Sequence, residues 1–311
     1  MVATIPETVT EGPPVAEQLR GKRLDVAGLA FRVVVMLALL VTVGVLVVLL
    51  EDVISTAWSV ITGSFSDFLS NGRSSAAARS GVSDALKGTI TIGAIVAIFS
   101  FPVGIGAAIY LEEYAPKNRF SQIININIRN LAGVPSVVYG LLGLSIFVKL
   151  AESATGGSSV LAAGFTMAVL VLPIVIITAA EAIRAVPSSL SEGGFGIGMT
   201  RWEVMRGLVL PYAAPGILTG TVLALMRALG EAAPLIVVGA VTGLLNVPGG
   251  LLDQLQGKFT ALPIYIFATT REPGDAFKAN TAAAIVVLLM IVLVFNTAAI
   301  LLRNHYEKRR S

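Results

Sequence analysis

The chain has 311 residues, of which 55% are hydrophobic and 13% are charged, and its net charge is +3. Soluble domains carry about 25% charged residues, so this composition excludes an ordinary soluble protein and indicates an integral membrane protein. It also offers no basic stripe for binding nucleic acid. The absence of cysteine excludes disulfides, thiolate metal sites and cysteine nucleophiles, and the single histidine, His305, excludes a metal centre built from imidazoles.

Six apolar segments are long enough to cross a membrane, which takes about 20 residues. Residues 1–28 precede them and are predicted to form a largely disordered cytoplasmic tail. Residues 29–302 are predicted to form an all-α, polytopic domain of six transmembrane helices, and residues 303–311 a basic cytoplasmic tail. The predicted spans are 29–50, 88–111, 131–148, 159–180, 215–241 and 280–302.

Lysine and arginine residues are distributed unevenly between the two sides of these spans. With the N-terminus inside, fourteen of the 22 lie on the inner side and seven on the outer side, and Arg227 lies within the fifth span. Basic loops tend to stay in the cytoplasm, so we predict that both termini are cytoplasmic. Treating residues 227–231 as a turn would give seven spans and move the basic end outside, against this tendency. We therefore predict one helix over 215–241, about 40 Å long, with Arg227 near its middle.

The outer loop 51–87 contains an amphipathic stretch over residues 58–69. A helix lying on the membrane surface and a docking site for a partner are equally consistent with it. The other long outer loop, residues 244–278, is rich in glycine and proline.

The cytoplasmic loop 185–211 carries two Ser/Thr-x-x-Glu patterns, Ser189 with Glu192 and Thr200 with Glu203. This spacing lets a hydroxyl and a carboxylate cap a helix start reciprocally. Gly198 lies between them, where a left-handed residue can end the first helix. We predict two short helices meeting at Gly198 with an apolar surface for a partner; a loop folded against its own spans is the alternative. The apolar residues are Leu190, Phe195, Trp202, Val204 and Met205.

This loop resembles the EAA loop of ABC importer membrane subunits, whose pattern is Glu-Ala-Ala, three residues, Gly, nine residues, Ile-x-Leu-Pro. Here both alanines are glycine and the isoleucine is leucine, while the spacings are kept. In that family the loop is a coupling helix that inserts into a groove of the ATP-binding subunit. The resemblance assigns this role to Glu192, Gly193, Gly194, Gly198, Trp202, Leu210 and Pro211.

Three further stretches are similar to the phosphate-specific permeases, the PstA and PstC pair. They are YLEEY at 110–114, VPSVVYG at 134–140 and RALGEAAPL at 227–235, of which the last resembles the PstA branch. A PstC-type permease remains an alternative. Many relatives end the fourth span with Arg-Thr-Thr-Glu, whereas residues 177–180 are ITAA and Glu181 follows, so no substrate contact is assigned there. The resemblance implies a type I ABC importer permease fold in the bacterial plasma (inner) membrane.

On one helix, Arg227 and Glu231 would share a face. A mutually neutralising pair is the structural alternative, but a central charge costs about 2.5–3.5 kcal/mol on insertion scales, which favours a functional role. Arginine can donate two parallel hydrogen bonds to an oxyanion. Glu231 can accept the hydroxyl proton that phosphate carries and sulfate lacks. We predict a phosphate site at this pair, with Glu231 neutralising Arg227 until substrate arrives.

Two prolines interrupt the backbone near this site. Pro234 deprives the Gly230 carbonyl of its helical partner and predicts a kink, although an ordinary tolerated membrane proline is equally consistent. Ser136, between Pro135 and Gly140 of the third span, could line the same cavity. Arg227, Glu231, Pro234 and Ser136 form the predicted substrate pathway.

The chain lacks the Gly-x-x-x-x-Gly-Lys-Ser/Thr phosphate cradle, so we expect neither an ATPase site nor a cofactor in it. The resemblance implies two ATP-binding subunits that use ATP and magnesium, a second PstC-like permease, and a phosphate-binding protein outside. A sulfate or molybdate permease and a self-sufficient secondary carrier remain alternatives. A membrane enzyme acting on lipid phosphates would need clustered acidic metal ligands, which the sequence does not show.

Overall fold

A computed structural model describes residues 26–242 and 250–308, with side chains up to Asn304. Within these ranges the chain is mainly helical and contains no β-strand. Three of the helices continue as wider π-helical segments, over Tyr110–Tyr114, Leu144–Leu150 and Met205–Val209. The helices are α1 (Val26–Gly63), α2 (Phe65–Ser70), α3 (Ser83–Ile109), α4 (Arg119–Ala132), α5 (Ser136–Gly143), α6 (Glu152–Thr155), α7 (Val160–Arg184), α8 (Ser188–Gly196), α9 (Arg201–Val204), α10 (Leu210–Leu229), α11 (Ala233–Val238), α12 (Leu251–Leu255), α13 (Leu262–Thr269) and α14 (Asp275–Lys308).

The described residues confirm the all-α, polytopic architecture. Five of the six predicted apolar segments lie, wholly or in part, on single helices long enough to cross a membrane, and the remaining one, 131–148, lies on the bent pair α4 and α5, which meet at 100°. The five single stretches are Val26–Gly63, Ser83–Tyr114, Val160–Arg184, Arg201–Leu229 and Asp275–Asn304. The orientation of the termini stays a prediction.

The chain divides after Asp52, within α1, into two units that we describe separately. In the first unit, the side chains of residues 29–50 are exposed all around the helix. Its most apolar window has a mean hydropathy of 3.3. A helix that is apolar on every side and lacks a protein covering requires lipid around it.

The centre of the second unit is the packing of α7 against α3 and α10. Gly164 of α7 faces Ile95 of α3, and Gly220 of α10 faces Thr178 of α7; a Cβ on either glycine would come within 2.5 Å of the facing residue. Because lipid provides little hydrophobic drive between helices, close approach at small residues supplies much of the packing energy in membranes. These glycines therefore determine how closely the three helices approach.

At the other side of the second unit, α2, α13 and α14 form a separate apolar cluster around Phe68, Leu262 and Tyr265. The amphipathic stretch 58–69 is the end of α1 followed by α2, and Phe68 is buried while Trp58 is exposed. The interpretation as one helix lying on a membrane surface is therefore wrong, because Phe68 packs into protein.

The predicted tails fall mostly beyond the described residues. Residues 1–25 of the predicted N-terminal tail lie outside them, and residues 26–28 begin α1. Residues 303–308 of the predicted C-terminal tail continue α14, while 309–311 lie outside. The outer loop 244–278 contains α12 and α13, and its residues 244–249 also lie outside.

Two glycines of α3 provide a matched test of this packing. A Cβ at Gly88 would lie 1.9 Å from the carbonyl oxygen of Thr260, whereas a Cβ at Gly106 would have no atom within 4 Å. Gly88→Ala should lower the thermal midpoint of the detergent-solubilised chain by several degrees, since the clash is with backbone. Gly106→Ala should leave it unchanged or raise it, because alanine is favoured over glycine in helices by about 1 kcal/mol. Equal effects in thermal unfolding would contradict the close approach at Gly88.

Candidate functional site

Two helices of the second unit are interrupted, and their interruptions lie close together. Residues 133–135 separate α4 from α5, and residues 230–232 separate α10 from α11. Gly140 of α5 packs directly on α11, where a Cβ would lie 2.8 Å from the Pro234 Cα atom. Gly140 lies about one helical turn after the break before α5, and Pro234 lies just after the break before α11. The two breaks are therefore neighbours.

The break after α10 corrects the prediction of one helix over 215–241. α10 ends at Leu229, Gly230 caps it with φ −90° and ψ −5°, and α11 ends at the left-handed Gly239. Glycine is unfavourable in a helix, and Pro234 has no N–H to donate to the Gly230 carbonyl. The helical hydrogen bonds therefore stop between these two residues. Pro234 consequently lies in the first turn of α11, where proline is well accommodated, and does not kink a continuous helix.

The break before α5 confirms the predicted interruption at Pro135 and corrects the predicted helix over 131–148. Gly133 caps α4, and the backbone of Pro135 is extended (φ −55°, ψ 136°). The phenol of Tyr139 donates a hydrogen bond of 2.9 Å to the carbonyl oxygen of Leu131. Tyr139 thus satisfies a carbonyl near the end of α4 and ties the two sides of the break together.

The helix register gives the depth of Arg227. α10 packs antiparallel on α7, with Gly216 against Ala182 and Gly220 against Thr178. Continuing this register places Arg227 level with Val171, near the middle of the Val160–Arg184 helix. The central depth expected for Arg227 is thus consistent with the packing.

Arg227 lies in the last turn of α10 with its side chain exposed, and Glu231 lies in the break, partly exposed. Among the described residues, neither side chain has an ion-pair or hydrogen-bond partner, and the same holds for the Ser136 hydroxyl at the start of α5. The predicted pairing of Arg227 with Glu231 on one helix face is wrong, because the helix ends between them. A guanidinium, a carboxylate and a hydroxyl thus flank the two neighbouring breaks without partners in this part of the chain.

The second predicted functional element, the loop 185–211, contains one of its two predicted capping boxes. Thr200 caps α9: its hydroxyl accepts the Glu203 N–H (3.3 Å), and the Glu203 carboxylate accepts the Thr200 N–H (2.7 Å). Gly198 has the predicted left-handed conformation, with φ +86°. The box at Ser189 does not form, because α8 begins one residue earlier, directly after Pro187, and Ser189 lies inside its first turn.

The loop helices also differ from the prediction of two short helices. α8 is short, but α9 continues through its π-helical segment into α10, so residues 201–229 form one long helix. Val204 and Met205 are buried in a cluster with the end of α7 and are not part of the exposed surface. The apolar surface that remains consists of Phe195, Ile197 and Trp202, the last two 82% and 55% exposed.

Gly194 accounts for one departure from the EAA pattern. It is buried where α8 meets the π-helical segment, and a Cβ there would lie 2.8 Å from methyl groups of Leu208 and Val204. Even the family's alanine would be crowded at this point. Gly193 has open space around its Cα atom, and nothing in the structure explains its glycine. Of the other predicted coupling residues, Glu192 and Pro211 are exposed and Leu210 is partly buried.

Ion pairs at the end of α7 were not predicted from the sequence. Arg184 donates two hydrogen bonds to Glu112 of the YLEEY stretch, one from Nε at 3.2 Å and one from Nη2. Glu181 lies 3.8 Å from Arg129 of α4. The carboxylate of Glu181, which lies one residue later than the glutamate of many relatives, therefore faces α4 and not Arg227. The only sequence signal was the YLEEY motif itself.

Comparison with protein families shows one match over most of the chain. Residues 100–311 match the model of a family described as "Binding-protein-dependent transport system inner membrane component".

Curated relatives show similarity at modest identity. The chain is 34% identical over 176 residues to the "Probable ABC transporter permease protein YqgI" of Bacillus subtilis, covering 56% of this chain and 58% of the relative. It is 33% identical over 198 residues to the "Phosphate transport system permease protein PstA 1" of Mycobacterium tuberculosis, covering 63% and 62%. A "Phosphate transport system permease protein PstC" of Mesorhizobium japonicum is 33% identical over 168 residues, covering 47% and 51%. The chain thus spans less than two thirds of the length of these relatives.

Solved structures show the same fold at lower identity. A bacterial alginate ABC transporter in complex with an alginate-bound periplasmic protein aligns with a TM-score of 0.63 at 16% identity, over 92% of this chain and 95% of that chain. The MetNI methionine ABC transporter, in an inward-facing conformation, aligns with a TM-score of 0.54 at 18% identity, over 73% and 94%. The permease fold of ABC importers is therefore confirmed.

Proposed function

The chain belongs to the binding-protein-dependent transport system inner membrane components, the permeases of ABC importers, and on this premise we propose that it is the PstA-like permease subunit of an ATP-driven inorganic phosphate importer. The observation that carries the proposal is Arg227: it lies at the central depth of α7, beside two helix breaks, exposed and without an ion-pair partner among the described residues. Relatives named as phosphate transport system permeases, of both PstA and PstC kinds, support the choice of substrate.

The helix breaks favour a polar cavity at this depth. Non-helical backbone within a membrane is tolerated only where protein covers it or where it lines water, because lipid offers no hydrogen bonds. Gly230 and Pro135 are exposed in this chain. We infer that a second, PstC-like permease faces these breaks and that the two subunits enclose the substrate pathway between them.

Arg227 and Glu231 together suit hydrogen phosphate. A guanidinium matches two oxyanion oxygens with parallel N–H donors and stays charged at any physiological pH. A carboxylate cannot donate, but it can accept the hydroxyl proton of phosphate, whereas it would repel sulfate, which has no such proton. Since Glu231 is not paired with Arg227, phosphate does not have to displace this carboxylate before it binds the guanidinium. Ser136, across the neighbouring break, can supply one further hydroxyl.

The long helix of residues 201–229 connects the coupling loop to this site. At 1.5 Å per residue it is about 43 Å long, with Trp202 at one end and Arg227 at the other. We infer that two ATP-binding subunits, which use ATP and magnesium, grip the exposed Phe195, Ile197 and Trp202. Closure of these subunits would tilt the helix and switch access to Arg227 from one side to the other. An extracytoplasmic phosphate-binding protein would deliver the substrate.

Replacing Arg227 tests the proposed site in the reconstituted importer. Charge-assisted hydrogen bonds contribute about 1.5–3 kcal/mol each, so loss of two should reduce phosphate uptake at least about 100-fold in Arg227→Gln. Assembly and ATPase binding should persist, because the side chain has no partner among the described residues. Arg32→Gln, which removes an exposed arginine from α1, is the control and should retain uptake. Normal uptake by Arg227→Gln would refute the central role of the arginine. If sulfate but not arsenate blocked the uptake of labelled phosphate, phosphate would be refuted as the substrate.

Replacing Glu231 tests the basis of discrimination between oxyanions. Glutamine can donate as well as accept, so Glu231→Gln should no longer repel sulfate. Sulfate should then compete with labelled phosphate about tenfold more strongly than it does in the unmodified importer, a change near 1.4 kcal/mol. Unchanged competition by sulfate would show that Glu231 takes no part in substrate recognition, and it would leave the role of Arg227 intact.

Two loop glycines test the coupling surface. Gly198 has φ +86°, where a side chain is strained, while Gly196 ends α8 with an ordinary backbone conformation; a Cβ on either would meet no atom within 4 Å. Left-handed backbone costs a non-glycine residue about 1–2 kcal/mol, so Gly198→Ala should misplace Trp202 relative to Phe195 and weaken ATPase binding. The Gly196→Ala variant should bind the ATP-binding subunit normally. Pull-down of the ATP-binding subunit and phosphate-stimulated ATPase activity give the readout, and equal binding by both variants would contradict the role of Gly198.

A further inference from the structure

A cleft of about 760 Å³ lies between the end of α3 and α4. It is at the same end of the second unit as the coupling loop, because Arg184, which lines it, is the last residue of α7 before that loop. It is remote from Arg227, which lies at the opposite end of the long helix of residues 201–229. Its charged lining consists of four cations, Lys117, Arg119, Arg129 and Arg184, and one carboxylate, Glu112.

The cations of the cleft are only partly neutralised. Arg184 is held by two hydrogen bonds to Glu112, and Arg129 lies 3.8 Å from Glu181 in a pair whose side chains are both more than half exposed. Exposed pairs of this kind contribute little, about 0–1 kcal/mol. Lys117 and Arg119 have no ion-pair partner among the described residues. The cleft therefore keeps at least two positive charges that no described carboxylate balances.

The donors around these charges suit an oxyanion. The side-chain amide of Gln122, which also lines the cleft, makes no hydrogen bond with a described residue. Asn118 and Asn125 are engaged within α4, the first accepting the Ser121 N–H at 3.0 Å and the second donating to the Ser121 carbonyl at 3.2 Å. A lysine ammonium, an arginine guanidinium and a free amide together present several N–H donors, which match the oxygens of a phosphate group.

The amphipathic character of α4 places the cleft at a membrane boundary. Phe120 and Ile123 are exposed apolar side chains on the same helix that carries Gln122 and Arg129. A helix with one apolar and one basic face lies at the level of lipid headgroups. Phosphate groups are available there from anionic lipids and from the aqueous phase.

We propose that this cleft binds a phosphate-type oxyanion through Lys117 and Arg119, the anion being a lipid headgroup or free inorganic phosphate. The proposal does not depend on phosphate being the transported substrate, since it involves different residues at another level of the chain.

The test uses the full chain carrying Arg227→Gln, so that the proposed transport site does not contribute. One arm measures radiolabelled inorganic phosphate bound in phosphatidylcholine nanodiscs by equilibrium dialysis. The other arm counts phosphatidylglycerol retained by the chain after extraction from vesicles of phosphatidylcholine and phosphatidylglycerol in equal parts, by native mass spectrometry. Lys117→Gln with Arg119→Gln should lower binding about tenfold in at least one arm, because each basic residue near a headgroup contributes appreciably.

The matched control is Lys87→Gln with Lys258→Gln, which removes two cations from a different cleft of about 270 Å³. It should leave binding unchanged, and the charge-preserving pair Lys117→Arg with Arg119→Lys should retain it. A loss confined to the dialysis arm identifies free phosphate, and a loss confined to the vesicle arm identifies the headgroup. Unchanged binding in both arms, or equal loss in the control, would overturn the proposal. Thermal midpoints of all variants show that the fold is kept.

Discussion

The contact between Gly140 and Pro234 is the constraint on which the proposed site depends. It brings two backbone breaks together, where a Cβ on Gly140 would meet backbone at 2.8 Å. A helix that stops inside a membrane leaves carbonyl and N–H groups without helical partners, and each needs another partner or water. Tyr139 meets part of this need at the Leu131 carbonyl. The rest of the breaks is exposed at Gly230 and Pro135, and Arg227 lies beside it, also exposed.

The helices around the breaks are held by a second set of close contacts, centred on α7. α7 is continuous from Val160 to Arg184 and contacts both α3 and α10 at glycines. An uninterrupted helix at the centre satisfies its own backbone and can hold the interrupted ones at a fixed register. In the proposed mechanism, a movement at the loop 185–211 would reach the breaks through the helix of residues 201–229, which packs against the continuous α7.

Much of this arrangement could be predicted from the sequence. Apolar length and loop charge were sufficient for the six segments and their order, and Thr200 with Glu203 was sufficient for the cap of α9. The end of α10 was missed because a turn at residues 227–231 was rejected on the distribution of loop charges, whereas helix termination here depends on Gly230 and Pro234 together. Glu192 was assigned to a cap at Ser189, but the N-cap position of α8 is Pro187, two residues earlier. Long-range pairs such as Arg184 with Glu112 depend on packing and have no local pattern.

The charges of the second unit differ according to what surrounds them, and this difference separates structural from functional roles. Arg184 at the end of α7 and Arg129 in α4 each have a carboxylate partner, Glu112 and Glu181, beside the loop 185–211. Arg227 lies at the central depth and has no ion-pair partner among the described residues. A helix end at the central depth of a membrane would not retain such a charge for stability alone, because an apolar residue would insert at lower cost. We propose that Arg227, exposed beside exposed backbone and without an ion-pair partner among the described residues, serves an anion that arrives and leaves.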